Sequence, residues 1–294
     1  MVRTGSDSTG HSIRFRGPKV PRFHYTERVL VSKVFLALAA AVLAFAGLGE
    51  AQRRGGRFGA PIRVATAADY DAAFQFCRVA YRGGGWGVDY PQADTNLSIR
   101  LSELTKTPVS FDERREPNHL VVQLTDDALF QCPFVMMTEV GRIFLDDEEI
   151  ARLREYLLKG GFLWADDFWG TREWFGWESE IRKVFPTGQY PIVELPMDHP
   201  IFRMQFVVGR VPQIPSINHW MGSGGGTSER GYDSQTPTAR AIFDEAGRLL
   251  VLMTHNTDLG DSWEREGDDP NYFYAFAVDG YALGINVLLY SMTY

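Results

Sequence analysis

Residues 134–167 read FVMMTEVGRIFLDDEEIARLREYLLKGGFLWADD, and this stretch decides the fold class. Asp146-Asp147-Glu148-Glu149 sets four acids where a helix would begin, at the positive end of its dipole. Behind them Ile150, Leu153, Leu157 and Leu158 recur at helical spacing and predict one apolar face. Lys159 and Gly160-Gly161 close the helix, because glycine tolerates the left-handed stop. The flanking runs Phe134–Thr138 and Phe162–Ala165 are short, continuous and apolar, as in strands buried on both faces. A strand, a helix, a tight Gly-Gly turn and a strand make a βαβ crossover, which predicts parallel neighbours.

Outward from this unit the alternation continues. Asp166-Asp167-Phe168-Trp169-Gly170 leads into a predicted helix from about Thr171 to Phe185, then a short strand at Ile192–Leu195. Residues 196–247 read as irregular, rich in proline, Ser/Thr and the Gly222–Gly226 cluster. Arg248–Thr254 is a buried strand, and Val278–Tyr290 a closing helix with Leu283, Val287 and Tyr290 on one side. Upstream, Phe74–Tyr81 is a β-rich run ending in the Gly83–Gly87 loop. Thr95 or Asn96 is expected to cap a helix to about Thr105, and Leu120–Leu124 is another buried strand. The pattern predicts an α/β domain over residues 61–294: an open, mostly parallel sheet with helices on both faces.

The charge divides the chain. Residues 1–33 carry seven Lys/Arg against Asp7 and Glu27, a net of +5, while residues 52–294 carry 23 Lys/Arg against 34 Asp/Glu, a net of −11. An acidic body does not suit phosphate backbones, so nucleic acid is not expected as a partner. The basic head and the uncharged run Val34–Leu48 read as an export signal, too short for a comfortable membrane span. Cleavage after Ala51 would leave Gln52 first; the alternative is retention of 34–48 as a membrane tether. QRRGGRFGA, residues 52–60, reads as a linker. Cys77 and Cys132 are the two cysteines, and either a disulfide or two buried small hydrophobes suits an exported chain.

Four segments together resemble the domain of unknown function 4159 family: Asp94–Leu104 with Asn96-Leu97, Phe134–Thr138 before its acid-started helix, Tyr156–Asp167, and Pro196–Phe202 (PMDHPIF). The likeness runs over roughly residues 60–294. It implies a class I glutamine amidotransferase-like, flavodoxin-like three-layer fold, in a family often found in bacterial envelope-associated proteins. It implies a fold and no established reaction.

Ligands of doubly wound sheets bind outside the carboxyl ends of the strands. Gly83–Asp89, Thr138-Glu139, Asp166-Asp167 and His255–Asp258 all fall at such ends and are expected to converge. The expected ligand-binding residues are Trp86, Asp94, Asn96, Glu139, Asp166, Asp167, Asn256 and Asp258. The turn where amidotransferases carry their cysteine nucleophile holds Asp166-Asp167 instead, and neither a nearby thiol nor G-x-S-x-G replaces it. That acid pair reads as a helix cap, a ligand contact, or a catalytic or metal pair; its carboxylates are expected to be partly open to solvent, with the helix field favouring their charged form. Asp198-His199-Pro200 reads as an Asx turn or an oriented base. His255, after a buried strand, reads as functional or capping. His219 beside Trp220 marks a mobile loop. The loop tryptophans read as packing or as sugar-stacking faces.

No His spacing of a zinc site and no nucleotide-binding glycine motif occurs, so neither a metal nor a cofactor is expected. The function expected from these residues is an exported, non-catalytic domain that binds a small molecule or an envelope protein. The alternatives are an envelope hydrolase using Asp166, Asp167, Glu139, His199 or His255 with water, and a structural partner in a membrane-associated assembly.

Overall fold

The apolar runs pair as a seven-stranded sheet in a computed structural model that describes residues 69–83 and 85–294. The basic leader, the 34–48 segment and the linker 52–60 lie outside the described residues. The strands are β1 (Phe76–Val79), β2 (His119–Val122), β3 (Val135–Thr138), β4 (Leu163–Asp166), β5 (Val193–Glu194), β6 (Thr238–Phe243) and β7 (Leu249–His255). Their order is β2-β1-β3-β4-β7-β6-β5. The first five strands of that order run parallel; β6 and β5 complete the sheet antiparallel.

The central βαβ unit forms as its sequence dictates. Helix α2 (Asp147–Leu158) carries a capping box, in which Asp146 accepts from the Glu149 backbone N–H and Glu149 reaches back to that of Asp146. β3 and β4 pair in parallel, Val135 beside Leu163. One residue of the predicted apolar face departs: Leu158 is 44% exposed, and Tyr156 takes the buried place beside Leu153 and Leu157.

Three other expectations are corrected. Helix α1 spans Gln92–Leu104, starting before Thr95 and Asn96, and no side chain caps it. Helix α3 (Gly170–Val184) is not capped by Asp166 or Asp167; its N-cap is Trp169. The stretch read as irregular contains β6 and the short helix α4 (Ile217–Gly222). In β6, TARAIF, polar residues interrupt the apolar ones, because one flank lies half-exposed near the sheet edge.

Successive residues of each strand face opposite ways. Phe76, Met136, Trp164 and Leu252 pack with α1, with α5 (Leu259–Glu264) and with α6 (Val278–Ser291). Cys77, Val79, Val135, Met137 and Ala165 pack with α2 and α3 on the other face. The helical stretch Pro270–Ser291 is long and apolar enough to cross a membrane, its most apolar 18-residue window having a mean hydropathy of 1.3, but 61% of that window is buried in the domain. It is a core helix.

Burying β1 on both faces brings Arg78 inside. Its guanidinium is fully buried and pairs with Asp94 of α1 at 2.5 Å. It also donates to the carbonyl oxygens of Trp86 and Val88 and to Thr138 Oγ1. One buried arginine thereby fixes the loop that follows β1 against the end of β3.

Candidate functional site

From β1 the chain proceeds to β2 on one side and then returns to β3 on the other, so the order reverses between β1 and β3. In open α/β sheets a crevice opens at such a reversal, outside the carboxyl ends. A cleft of about 210 Å³ lies at this edge. Asp89 reaches it from the loop after β1, Glu139 from the end of β3, Asp167 from the end of β4, and Asp258 from the turn after β7. Among the described residues, eight carboxylates line it against three guanidinium groups. Two of those three are engaged with acids of the cleft: Arg230 with Glu173 and Glu229, Arg265 with Glu264 and Asp261.

The inner acids form a tight group. One carboxylate oxygen from each of Asp89, Asp167 and Asp258 lies within 4.8 Å of the others, and all three residues are buried. Asp167 Oδ1 accepts from the Trp169 indole N–H at 3.0 Å. Asp258 Oδ1 accepts from the Asp261 backbone N–H, capping α5. Asp89 is only 5% exposed, and its Oδ2 is buried without a hydrogen-bond partner among the described residues. A Cβ added at Gly260 would sit 2.3 Å from Asp89 Oδ2 and 3.4 Å from Asp258 Oδ1. That close approach of backbone to carboxylate requires glycine.

Electrostatics follow from this crowding. Burial first, then the neighbouring acids, hold the carboxyls of Asp89, Asp167 and Asp258 well above the usual range. Asp261 is raised by burial as well. Asp166 lies beneath the cleft, fully buried, and burial pushes it up to about 7 although Thr254 and the Leu259 N–H donate to it. The expectation of solvent-open, field-stabilised carboxylates at Asp166 and Asp167 is therefore overturned: desolvation outweighs the helix field.

Four non-glycine residues with left-handed backbone sit in the segments that follow the strands here: Asp89 (φ 62) in the turn before α1, and Glu139 (φ 51), Asp167 (φ 55) and Asn256 (φ 63) directly after β3, β4 and β7. Residues held in this region cluster at functional sites.

Of the residues expected to bind, Glu139, Asp167 and Asp258 come together in the cleft, with Asp166 directly behind. The others are occupied elsewhere. Asp94 is the buried partner of Arg78, and Asn96 donates to the Trp263 carbonyl oxygen. Asn256 pins the start of α3 by accepting from the Gly170 N–H. Trp86 packs against Tyr90. His199 caps a turn, its Nδ1 accepting from the Ile201 N–H, and its ring rests on Tyr290 and Phe243. His255 bonds the Gly170 carbonyl oxygen and packs on Phe168 and Trp174; burial lowers its pKa to about 4, so it is neutral. Trp177 and Trp263 are fully buried, and Trp220 packs on Tyr272. Asp89, Asp261 and Glu264 join the cleft without having stood among the expected binding residues. The signal for the last two is Asp258, Asp261 and Glu264 at intervals of three, one acidic stripe on α5 and its cap.

Fold and site together define an open α/β domain whose acids gather in a cleft at the carboxyl edge of the sheet. The chain belongs to the family described as Domain of unknown function (DUF4159), which matches residues 75–292. No curated protein matches it.

Proposed function

We propose that the protein is an exported binding domain whose strand-end cleft takes a divalent cation. One observation carries this reading: three buried carboxylates from separate loops meet within 4.8 Å, and one oxygen of Asp89 has no partner among the described residues. Uncompensated buried carboxylates are costly, and a cation among them removes that cost. The donors are all oxygens, the set that suits Mg²⁺, Mn²⁺ or Ca²⁺ rather than zinc. Two oxygens 4.8 Å apart can each lie about 2.4 Å from a shared ion, a calcium–oxygen distance.

The five parallel strands in the order β2-β1-β3-β4-β7 support a flavodoxin-like arrangement for this part of the sheet. A glutamine amidotransferase-like origin would fit it, with the nucleophile lost: both cysteines are tied in a Cys77–Cys132 disulfide, and no free thiol exists among the described residues. The disulfide also supports export, since such bonds persist in oxidising compartments. Expressed in a Gram-negative host, the protein should reach the periplasm with Gln52 as its mature N-terminus, read by N-terminal sequencing. A cytoplasmic product with an intact N-terminus would refute export.

The cation reading is tested by thermal unfolding with Mg²⁺, Mn²⁺ or Ca²⁺. At a concentration about 100 times Kd, stabilisation should be about 2.7 kcal/mol. Asp89→Asn removes a buried charge without breaking a hydrogen bond at Oδ2. It should raise the stability of the cation-free protein at neutral pH and abolish the response to cations. The pH dependence has a definite sign. Carboxyls raised in the folded state contribute stability that is fully present below the ordinary aspartate pKa, about 4. That contribution is lost as pH rises through the folded values, about 7 for Asp166 and likewise raised for Asp89, Asp167 and Asp258. The cation-free protein should therefore weaken from acid to neutral pH, and the cation response should grow over the same interval as protons stop competing. Equal shifts in wild type and Asp89→Asn would place the ligand elsewhere, and no shift in either would refute the cation.

A further inference from the structure

We infer that the cleft is built for two divalent cations, with Asp89 as the carboxylate bridging them. This rests on the single-cation reading and extends it. Two groups of acids satisfy the geometry of an ion site, and they share one member. Asp89 is common to both groups: Asp167 and Asp258 complete one, Asp261 and Glu264 the other. Within each group the ligand oxygens lie within 4.8 Å of one another. A carboxylate has two oxygens and can give one to each ion. Asp89 is the residue placed to do so, only 5% exposed, with Oδ2 unpartnered among the described residues.

The second position draws its outer ligands from α5, the helix that Asp258 of the first position caps. Asp261 and Glu264 lie three residues apart on α5, so they face the same side of that helix. Asp261 is held by the Ile217 backbone N–H and the Tyr272 hydroxyl, both on its Oδ2. These two bonds fix the carboxylate, and its Oδ1 lies 3.7 Å from Arg265 Nε. Glu264 pairs with Arg265 through Oε2 at 2.7 Å. The first position is built instead from strand-end turns after β4 and β7, with Asp167 oriented by the Trp169 indole and Asp258 by a backbone N–H of α5. Each outer ligand is thus oriented by a neighbouring donor, while Asp89 Oδ2 has no hydrogen-bond partner among the described residues.

Two ions held a few ångströms apart by a shared carboxylate clamp an oxyanion between them, the arrangement of two-metal sites. The chemical class is set by the donors: hard, oxygen-preferring divalent ions. Arg142 lines the same cleft and adds a guanidinium for an anionic ligand.

Stoichiometry decides the matter. The purified chain, stripped with chelator and equilibrated with excess Mn²⁺, should retain two ions, with the electron paramagnetic resonance signal of a coupled pair. Glu264→Gln should retain one, with the signal of an isolated ion; Asp167→Asn should also retain one; Asp89→Asn should lose both. Unfolding midpoints in chelator report that each variant is folded, and Glu264→Gln is chosen because it leaves the Asp261 contacts in place. One ion in wild type, unchanged by Glu264→Gln, would overturn the bridged pair and leave the single-cation reading standing. Two ions that survive Glu264→Gln would overturn the assigned second position. No retained ion in any form would overturn both readings and mean that the acids share protons instead.

Discussion

Asp94→Ala should cost about 3–5 kcal/mol of folding stability, read from urea unfolding at neutral pH. The substitution leaves the Arg78 guanidinium, fully buried in the middle of β1, without its counter-charge. Water cannot reach the group to compensate, and arginine does not shed its proton. The remaining bonds, to the Trp86 and Val88 carbonyl oxygens and Thr138 Oγ1, are made to neutral acceptors. The double variant Arg78→Met, Asp94→Leu removes both charges and should recover most of the loss, since a buried pair replaced by apolar residues of similar size is close to neutral. It should still bind cations poorly, because the loop that delivers Asp89 has lost its anchor. A single variant within about 1 kcal/mol of wild type would show that the pair is dispensable.

Asp94 marks the boundary between what the sequence makes legible and what it does not. As a polar residue near the start of a helix it reads as a ligand contact, yet its partner is a charged residue inside a strand. Only the third dimension brings the two together. The βαβ unit of residues 134–167 is legible because every level agrees: acids at the helix start, glycines at its end, apolar strands on either side. β6 is not, since a strand next to the sheet edge has a half-wet flank. Thr238 and Arg240 are half-exposed there and alternate with the buried Ala239 and Ala241, so small and polar residues dilute the hydrophobic pattern.

The cleft is half legible. Strand ends point to Glu139, Asp167 and Asp258, and to the segment Gly83–Asp89 as a whole, whereas nothing in that segment singles out Asp89 as its ligand. Metal-ligand spacing gives no signal, because the acids come from separate loops and meet only when the sheet assembles.

Breaking the Cys77–Cys132 disulfide should be comparably costly. The bond joins β1 to the segment just before β3 across a sequence separation of 55 residues. Closing a loop of that length in the unfolded chain corresponds to about 4 kcal/mol. Both cysteines are buried, at 1% and 3% exposure, so neither sulfur gains solvation when the bond is cut in the folded protein. Reductant, or the double variant Cys77→Ala, Cys132→Ala, should lower the unfolding midpoint by on the order of 10 °C. Neither cysteine lines the cleft, so cation binding by protein that remains folded should persist. A midpoint indifferent to reductant would show that the bond contributes nothing to stability.

The left-handed residues that follow the strands have a consequence for how this domain can change over generations. Asp89, Glu139, Asp167 and Asn256 each hold a side chain in a backbone conformation that glycine adopts without penalty. Selection for robustness alone would therefore favour glycine at all four positions, and every such replacement would erase a carboxylate of the cleft or, at Asn256, the pin on helix α3. Durability and the acidic cleft thus pull in opposite directions at Asp89, Glu139 and Asp167, and a lineage that abandoned the cleft would be free to relax there first.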